Sequence, residues 1–137
     1  MIESKDEFQG DHAEMTRRII GVFYEVARDL GHGFLESVYR KSLLIALNAK
    51  GLKAEEEVGI EVRYREQIVG KFYADIVVEG LVILELKASD TITKLFEAQL
   101  LNYLRSSQMK IGFVLAFGAR PQFSRVYMPN ERKNNLR

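Results

Sequence analysis

Three charged residues interrupt the most apolar stretch of this chain: Asp75 within Ala74-Asp75-Ile76-Val77-Val78, then Glu85 and Lys87 within Leu81-Val82-Ile83-Leu84-Glu85-Leu86-Lys87. A carboxylate taken out of water without a partner is unfavourable by several kcal/mol. Two acids on neighbouring strands beside a lysine therefore point to a bound cation, or else to a buried ion pair. Paired carboxylates raise each other's pKa unless a cation lies between them, and Mg²⁺ or Mn²⁺, which keep several waters, suit an all-oxygen site with few protein ligands. Lys87 adds an ammonium that can orient a water or offset charge developing on phosphorus, so the set has the chemistry of a phosphodiester hydrolase.

Those residues need a particular hairpin. Glu85 and Lys87 are two apart and leave a strand on the same face, away from Leu84 and Leu86. Asp75 comes opposite Glu85 only if the loop is odd, Glu79-Gly80-Leu81, so that Val78 faces Val82, with Gly80 supplying a positive φ. A two-residue turn at Glu79-Gly80 would place Asp75 opposite Leu84 and split the acids between faces.

The elements around the hairpin are legible by period. Met15, Ile19, Val22, Phe23, Val26 and Leu30 recur at helical spacing over about Ala13 to Leu30, with Gly31 as a C-terminal cap. A second helix is predicted from about Phe34 to Ala49, carrying Leu35, Val38, Tyr39, Leu43, Leu44 and Leu47. Val58, Ile60, Val62 and Tyr64 alternate with polar residues, as in a half-buried strand, and strands over about Ile68 to Val78 and Val82 to Lys87 complete an antiparallel meander. The apolar character of the last two predicts a central position covered on both faces. Ser89 to Thr93 offers N-caps for a third helix over about Thr93 to Ser106, followed by strands at Ile111 to Phe117 and Phe123 to Met128. A single α/β (α+β) domain over residues 1–137 is expected, in the order ααβββαββ, with 1–12 and 130–137 as loose ends.

Two helices carry further polar candidates. Glu36 falls on the stripe of Tyr39, Leu43 and Leu47, and not on the outer face with Arg40 and Lys50, so it either points inward or is a first-turn acid favoured by the helix macrodipole. Gln99 lies between Phe96 and Tyr103 on the inner stripe of the third helix, where its amide requires a partner: a phosphate, a metal-held water or the core. Arg120 and Arg125, bordering the last strand, are the best candidates for phosphate contacts.

Composition narrows the classes. The 137 residues fit one domain, and 20 basic against 19 acidic residues give no global electrostatic case for nucleic acid, leaving such a partner to a local patch. Without cysteine there is no disulfide, thiolate zinc site or cysteine nucleophile, and the two histidines are too badly spaced for zinc. No apolar run approaches a membrane span and the N-terminus has no signal-peptide core, so no membrane partner and a cytoplasmic location are expected.

Together these residues resemble the GxxExxY family of the PD-(D/E)XK nuclease-like superfamily. The family motif is matched by Gly33-Phe34-Leu35-Glu36-Ser37-Val38-Tyr39. The superfamily motif is matched by Asp75 with Glu85-Leu86-Lys87, and the QxxxY motif of the RecB-like branch by Gln99-Leu100-Leu101-Asn102-Tyr103. His32 stands where the family's glycine turn is expected to carry Pro, and Ala116 where Asn is frequent. The resemblance implies a restriction-endonuclease-like core, a central mixed sheet of about five strands flanked by helices. It implies that Asp75 and Glu85, helped by Glu36 and the Leu86 carbonyl, hold Mg²⁺ (or Mn²⁺), that Lys87 activates water, and that Gln99 and Tyr103 position the DNA backbone or the metal.

The leading expectation is a metal-dependent nuclease acting on DNA, in preference to RNA. The alternative is a non-catalytic nucleic-acid-binding or protein-assembly module that keeps the nuclease fold. A chain this small has no room for a separate recognition domain, so a second copy or a larger protein partner is expected to help grip a duplex.

Overall fold

In the computed structural model, which describes Gly10 and residues 12–133, the predicted order of elements is found. Helices α1 (Ala13–Leu30) and α2 (Glu36–Ala49) are followed by β1 (Ala54–Tyr64), β2 (Gln67–Val78) and β3 (Val82–Lys87). Then come α3 (Lys94–Arg105), β4 (Ile111–Ala116), β5 (Gln122–Tyr127) and a short 3₁₀ turn, Asn130–Arg132. The five strands form one sheet in sequence order; β3 and β4 run parallel, joined through α3, and the other pairs are antiparallel. This is the mixed, helix-flanked α+β sheet expected.

Two apolar layers sandwich the sheet. The stripe of α1 (Ile19, Phe23, Val26) and that of α2 (Tyr39, Leu43, Leu47) pack on Ile76, Val78, Leu84, Leu86, Phe113 and Leu115. On the other face Leu100 and Leu104 of α3 pack on Val77, Ile83, Val114 and Val126. Strand β3 is therefore covered on both sides, with Val82 to Leu86 all buried. Strand β2 matches that expectation only in its second half: Gln67 to Val69 are exposed because β3 pairs with Ile76 to Val78 alone.

Helix α3 starts where its best cap sits: the Thr93 Oγ1 accepts from the Phe96 N–H at 3.2 Å. At the other end of the chain, the expected tail from residue 130 is corrected over its described part. Lys133 Nζ donates to the carbonyls of Ser107 and Met109 at 2.8 and 2.6 Å, fastening the 3₁₀ turn beside the end of α3. Residues 1–9, 11 and 134–137 lie outside the described residues.

The loop after β4 is pressed against the segment leaving β3. Phe117 N–H donates to the Lys87 carbonyl at 2.8 Å and Ala119 N–H to Asp90 Oδ1 at 2.9 Å. A Cβ at Gly118 would stand 2.5 Å from Asp90 Cα and 2.6 Å from the Ser89 carbonyl oxygen, both backbone atoms that cannot swing aside. Gly118→Ala is accordingly expected to destabilise the protein by about 1–3 kcal/mol, read as a lowered urea midpoint; an unchanged midpoint would show that the two loops separate freely.

Candidate active site

The β2–β3 hairpin has the register that the three charges require. Val78 faces Val82, Val77 faces Ile83 and Ile76 faces Leu84, so the next position brings Asp75 to Glu85. The loop is Glu79-Gly80-Leu81, closed by Leu81 N–H to the Val78 carbonyl at 2.9 Å. Gly80 has the positive φ expected of it (65°), but Glu79 has one too (55°). A non-glycine residue is held there because Glu79 bonds the start of β1 twice: its N–H donates to the Lys53 carbonyl at 2.7 Å, and its Oε2 accepts from the Lys53 N–H at 2.8 Å.

Beyond Ile76 and Leu84 the ladder between the two strands stops, and the acids take over its hydrogen bonds. The Asp75 N–H donates to Glu85 Oε2 at 2.9 Å, and the Leu86 N–H donates to Asp75 Oδ2 at 2.8 Å. Each carboxylate thus fills the gap between diverging strands and keeps one oxygen, Asp75 Oδ1 and Glu85 Oε1, without a hydrogen bond among the described residues.

The cause lies in the neighbouring strand. Ile76 and Val78 pack towards α1 and α2, whereas Phe72 and Ala74, of the same parity, pack towards α3, so the alternation of β2 reverses at Asp75. Strand β1 reverses at the same level, between Ala54 and Val58, and Glu57 there has a φ of 52°, in the left-handed region. Glu57 and Asp75 are skipped in a register that otherwise runs on from Glu56 and Ile76 to Val58 and Ala74. A strained residue of this kind inside a strand is costly by about 1–3 kcal/mol and is a mark of functional sites.

The electrostatics are those of a cluster short of positive charge. Burial pushes the Glu85 carboxyl up to about 8, and the charge of Asp75 adds to it; the Asp75 N–H and Lys87 oppose the shift without cancelling it. Asp75 is also raised, first by burial, with Glu36 contributing and the Leu86 N–H opposing. Lys87 extends from the same face as Glu85, its Nζ 4.6 Å from the centre of the Phe96 ring on α3.

The remaining candidates divide. Glu36 is the first residue of α2 and is exposed, as the first-turn acid of the two readings requires. Yet its Oε2 accepts from the Ala88 N–H at 3.1 Å, one residue past β3, and its charge is felt by both Asp75 and Glu85. Gln99 is exposed instead of facing the core, since Leu100 and Leu104 take the buried stripe of α3, but it is flanked by Phe96 under Lys87 and by Tyr103. Tyr103 stacks on Phe72 with ring centres 3.7 Å apart, and its hydroxyl is raised by burial and by the charges of Glu85 and Asp75.

Arg125 departs from the expectation. It is 3% exposed, on the face of β5 that carries Phe123 and Tyr127 towards α1, opposite the face where Glu85 and Lys87 emerge. Alternation alone sends it away from the carboxylates. Arg120 is exposed in the loop after β4, at the end of the sheet where Lys87 pairs with Ala116. Arg40, assigned to the outer face of its helix by periodicity, is in fact four-fifths buried in its side chain and its charge lowers the pKa of Asp75. Its position one helical turn after Glu36 was the available signal.

The motif around Glu36 has a mechanical explanation. Tyr39 is fully buried, stacked on Phe117 with ring centres 4.3 Å apart; its hydroxyl donates to the Gly31 carbonyl at 2.6 Å and accepts from the Phe34 N–H at 3.3 Å. That clamp, with Gly33 at a φ of 108° that favours glycine, fixes the turn from which Glu36 projects.

Comparison with known proteins gives the superfamily and the fold. A family model described as the PD-(D/E)XK nuclease superfamily matches residues 13–126, and the chain belongs to that superfamily. The crystal structure of SSO0001 has the same fold, with a TM-score of 0.56 and 20% identity over 82% of this chain; the match spans 61% of that protein's chain. No curated protein matches the chain.

Among the described residues no group of three or more His, Cys, Asp or Glu side chains is arranged to hold a metal ion. The donor set nevertheless fits a divalent cation in part: two carboxylates, each with a free oxygen, share negative charge that nearby cations leave uncompensated. No helix among the described residues is long and apolar enough to cross a membrane.

Proposed function

We propose that this chain is a metal-dependent nuclease of the GxxExxY type that hydrolyses phosphodiester bonds, with DNA as the preferred substrate and the cytoplasm as its setting. The observation that carries this reading is the pair Asp75 and Glu85, with carboxyl pKa values raised by burial and proximity at the point where two strands part. Such a pair is stabilised when a cation takes both charges.

Asp75 and Glu85 would hold Mg²⁺ or Mn²⁺, with the Leu86 carbonyl and, after release from the Ala88 N–H, Glu36 completing the set. A bound divalent ion supplies Lewis-acid stabilisation of the charge that develops on the phosphoryl group. Lys87 donates hydrogen bonds to the attacking water and keeps it in line with phosphorus. Hydrolysis forms one P–O bond to that water and breaks the one to the leaving sugar oxygen; the water's proton passes to solvent and the leaving oxygen regains one. Gln99 and Tyr103, on successive turns of α3, are suited to hold the substrate backbone, and Arg120 to meet a flanking phosphate. A second copy or a protein partner would extend the grip on a duplex.

The test is cleavage of labelled DNA and RNA with Mn²⁺, with Mg²⁺ and with EDTA, comparing wild type and Lys87→Ala. Metal-dependent cleavage that falls on the order of 10²-fold or more in Lys87→Ala is expected. Equal cleavage by the two proteins would remove Lys87 from the mechanism. DNA binding without cleavage in any metal would instead support the non-catalytic module.

A further inference from the structure

Arg40 enters the site from α2 with unused hydrogen-bonding capacity. Its side chain is 20% exposed, and its Nε is buried with no hydrogen-bond partner among the described residues. Its Nη2 lies 3.9 Å from Glu57 Oε1, too far for a hydrogen bond, and the carboxylate it faces is itself 61% exposed. A buried donor left unpaired costs about 1–3 kcal/mol, more when charged, and such a group calls for an explanation.

Two placements suggest one. Arg40 is one turn of α2 beyond Glu36, and Glu36 already reaches the end of β3. Its loose partner Glu57 is the left-handed residue of β1 that faces Asp75 in the interrupted register. The strain at Glu57 and the loosely paired guanidinium thus meet at the level of the carboxylate pair. The charge of Arg40 is also felt at Asp75. A neighbouring cation, Lys41, differs in every respect: it is exposed and bonded to Glu56 at 2.8 Å.

We propose that Arg40 is the phosphate-binding arginine of this site, kept in place without a tight ion pair by Glu57 and free to offer its two Nη groups to oxygens of a substrate phosphate. This deepens the nuclease reading and rests on it for the phosphate being that of a nucleic acid. A guanidinium fork suits bidentate contact with a phosphate, and a lysine at the same place would not replace it.

The experiment uses the full chain and two readouts. In the first, the Nε–Hε NMR resonance of Arg40, assigned by its loss in Arg40→Lys, is followed as dimethyl phosphate and inorganic phosphate are added. A saturable shift is expected, and no shift up to high millimolar phosphate would overturn the proposal. In the second, DNA binding is measured by anisotropy in EDTA, with folding checked by circular dichroism. Arg40→Gln and Arg40→Lys should each weaken binding about 5- to 30-fold, and Arg40→Gln, which also removes the charge, should lower the salt slope by about one. Lys41→Gln should stay within about twofold of wild type, and Glu57→Gln, which only loosens the positioning of Arg40, should weaken binding less than either Arg40 variant. Equal weakening by Glu57→Gln and Arg40→Gln would show a merely structural ion pair and overturn the proposal. If wild type binds no nucleic acid, the nuclease reading fails and the phosphate titration alone decides the role of Arg40.

Discussion

On the proposed metal-dependent mechanism Glu85→Gln is expected to abolish cleavage and, in the absence of metal, to make the protein more stable than wild type at pH 8.5. Gln preserves the acceptor that meets the Asp75 N–H, so the hairpin keeps its geometry while the charge that attracts a cation is lost. Cleavage should fall on the order of 10²–10³-fold or more, the scale of losing a group that stabilises transition-state charge. The stability effect follows from linkage. The Glu85 carboxyl titrates near 4.5 when unperturbed and at about 8 in the folded chain, so between these pH values the folded state retains a proton that the unfolded state has released. Stability from this group is complete below about pH 4.5 and is lost as pH rises through about 8. Asp75, raised in the same direction, adds to the loss.

The substitution removes the Glu85 contribution, for a gain on the order of 1–3 kcal/mol at pH 8.5 and little difference near pH 4. Urea unfolding at both pH values in EDTA measures it. Parallel pH profiles for the two proteins would mean that Glu85 is ionised in the folded state without penalty, and the case for a cation there would go with it. Since a metal ion competes with protons for the same oxygens, Mn²⁺ affinity of the wild type should rise with pH over the same window.

Tyr39→Ala is expected to destabilise the protein by about 3–5 kcal/mol, the range for removing a fully buried aromatic ring, here one stacked on Phe117. Tyr39→Phe separates packing from clamping. It keeps the ring but leaves the Gly31 carbonyl and the Phe34 N–H without the hydroxyl, at a loss of about 1–2 kcal/mol. Because that hydroxyl fixes the turn leading into Glu36, cleavage by Tyr39→Phe should fall about tenfold at temperatures where the variant remains folded. Full activity in a folded Tyr39→Phe protein would show that the turn holds its shape through Gly33 and packing alone.

Much of this site was legible before any coordinates because hairpin arithmetic is rigid. With Glu79-Gly80-Leu81 as the loop, the position of Asp75 against Glu85 follows from counting, and the structure has that register. The helices were legible from their buried stripes and the start of α3 from Thr93. What failed were the readings that extended a period past the place where it breaks. Arg125 borders the last strand in sequence, but strand alternation turns it to the α1 face. Gln99 sits where the stripe of α3 runs out to solvent, so periodicity overstates its burial. Arg40 shows the converse: it lies off the apolar stripe of α2, yet its side chain is only 20% exposed, with Glu57 of β1 3.9 Å away.

The sequence by itself determined which charged residues share the apolar hairpin and on which elements the candidates ride, since charge in an apolar hairpin, a strand period of two and a helical period near four are local properties. Only the tertiary structure decided how the acids sit. The reversal of alternation at Glu57 and Asp75, the replacement of ladder bonds by carboxylates and the raised pKa of Glu85 arise from β1, β2 and β3 acting on one another. The physical reason is that desolvation and strand divergence depend on what lies across the sheet, and on α2 and α3, which bring Glu36, Arg40 and Tyr103 within electrostatic reach of Asp75 from other parts of the chain.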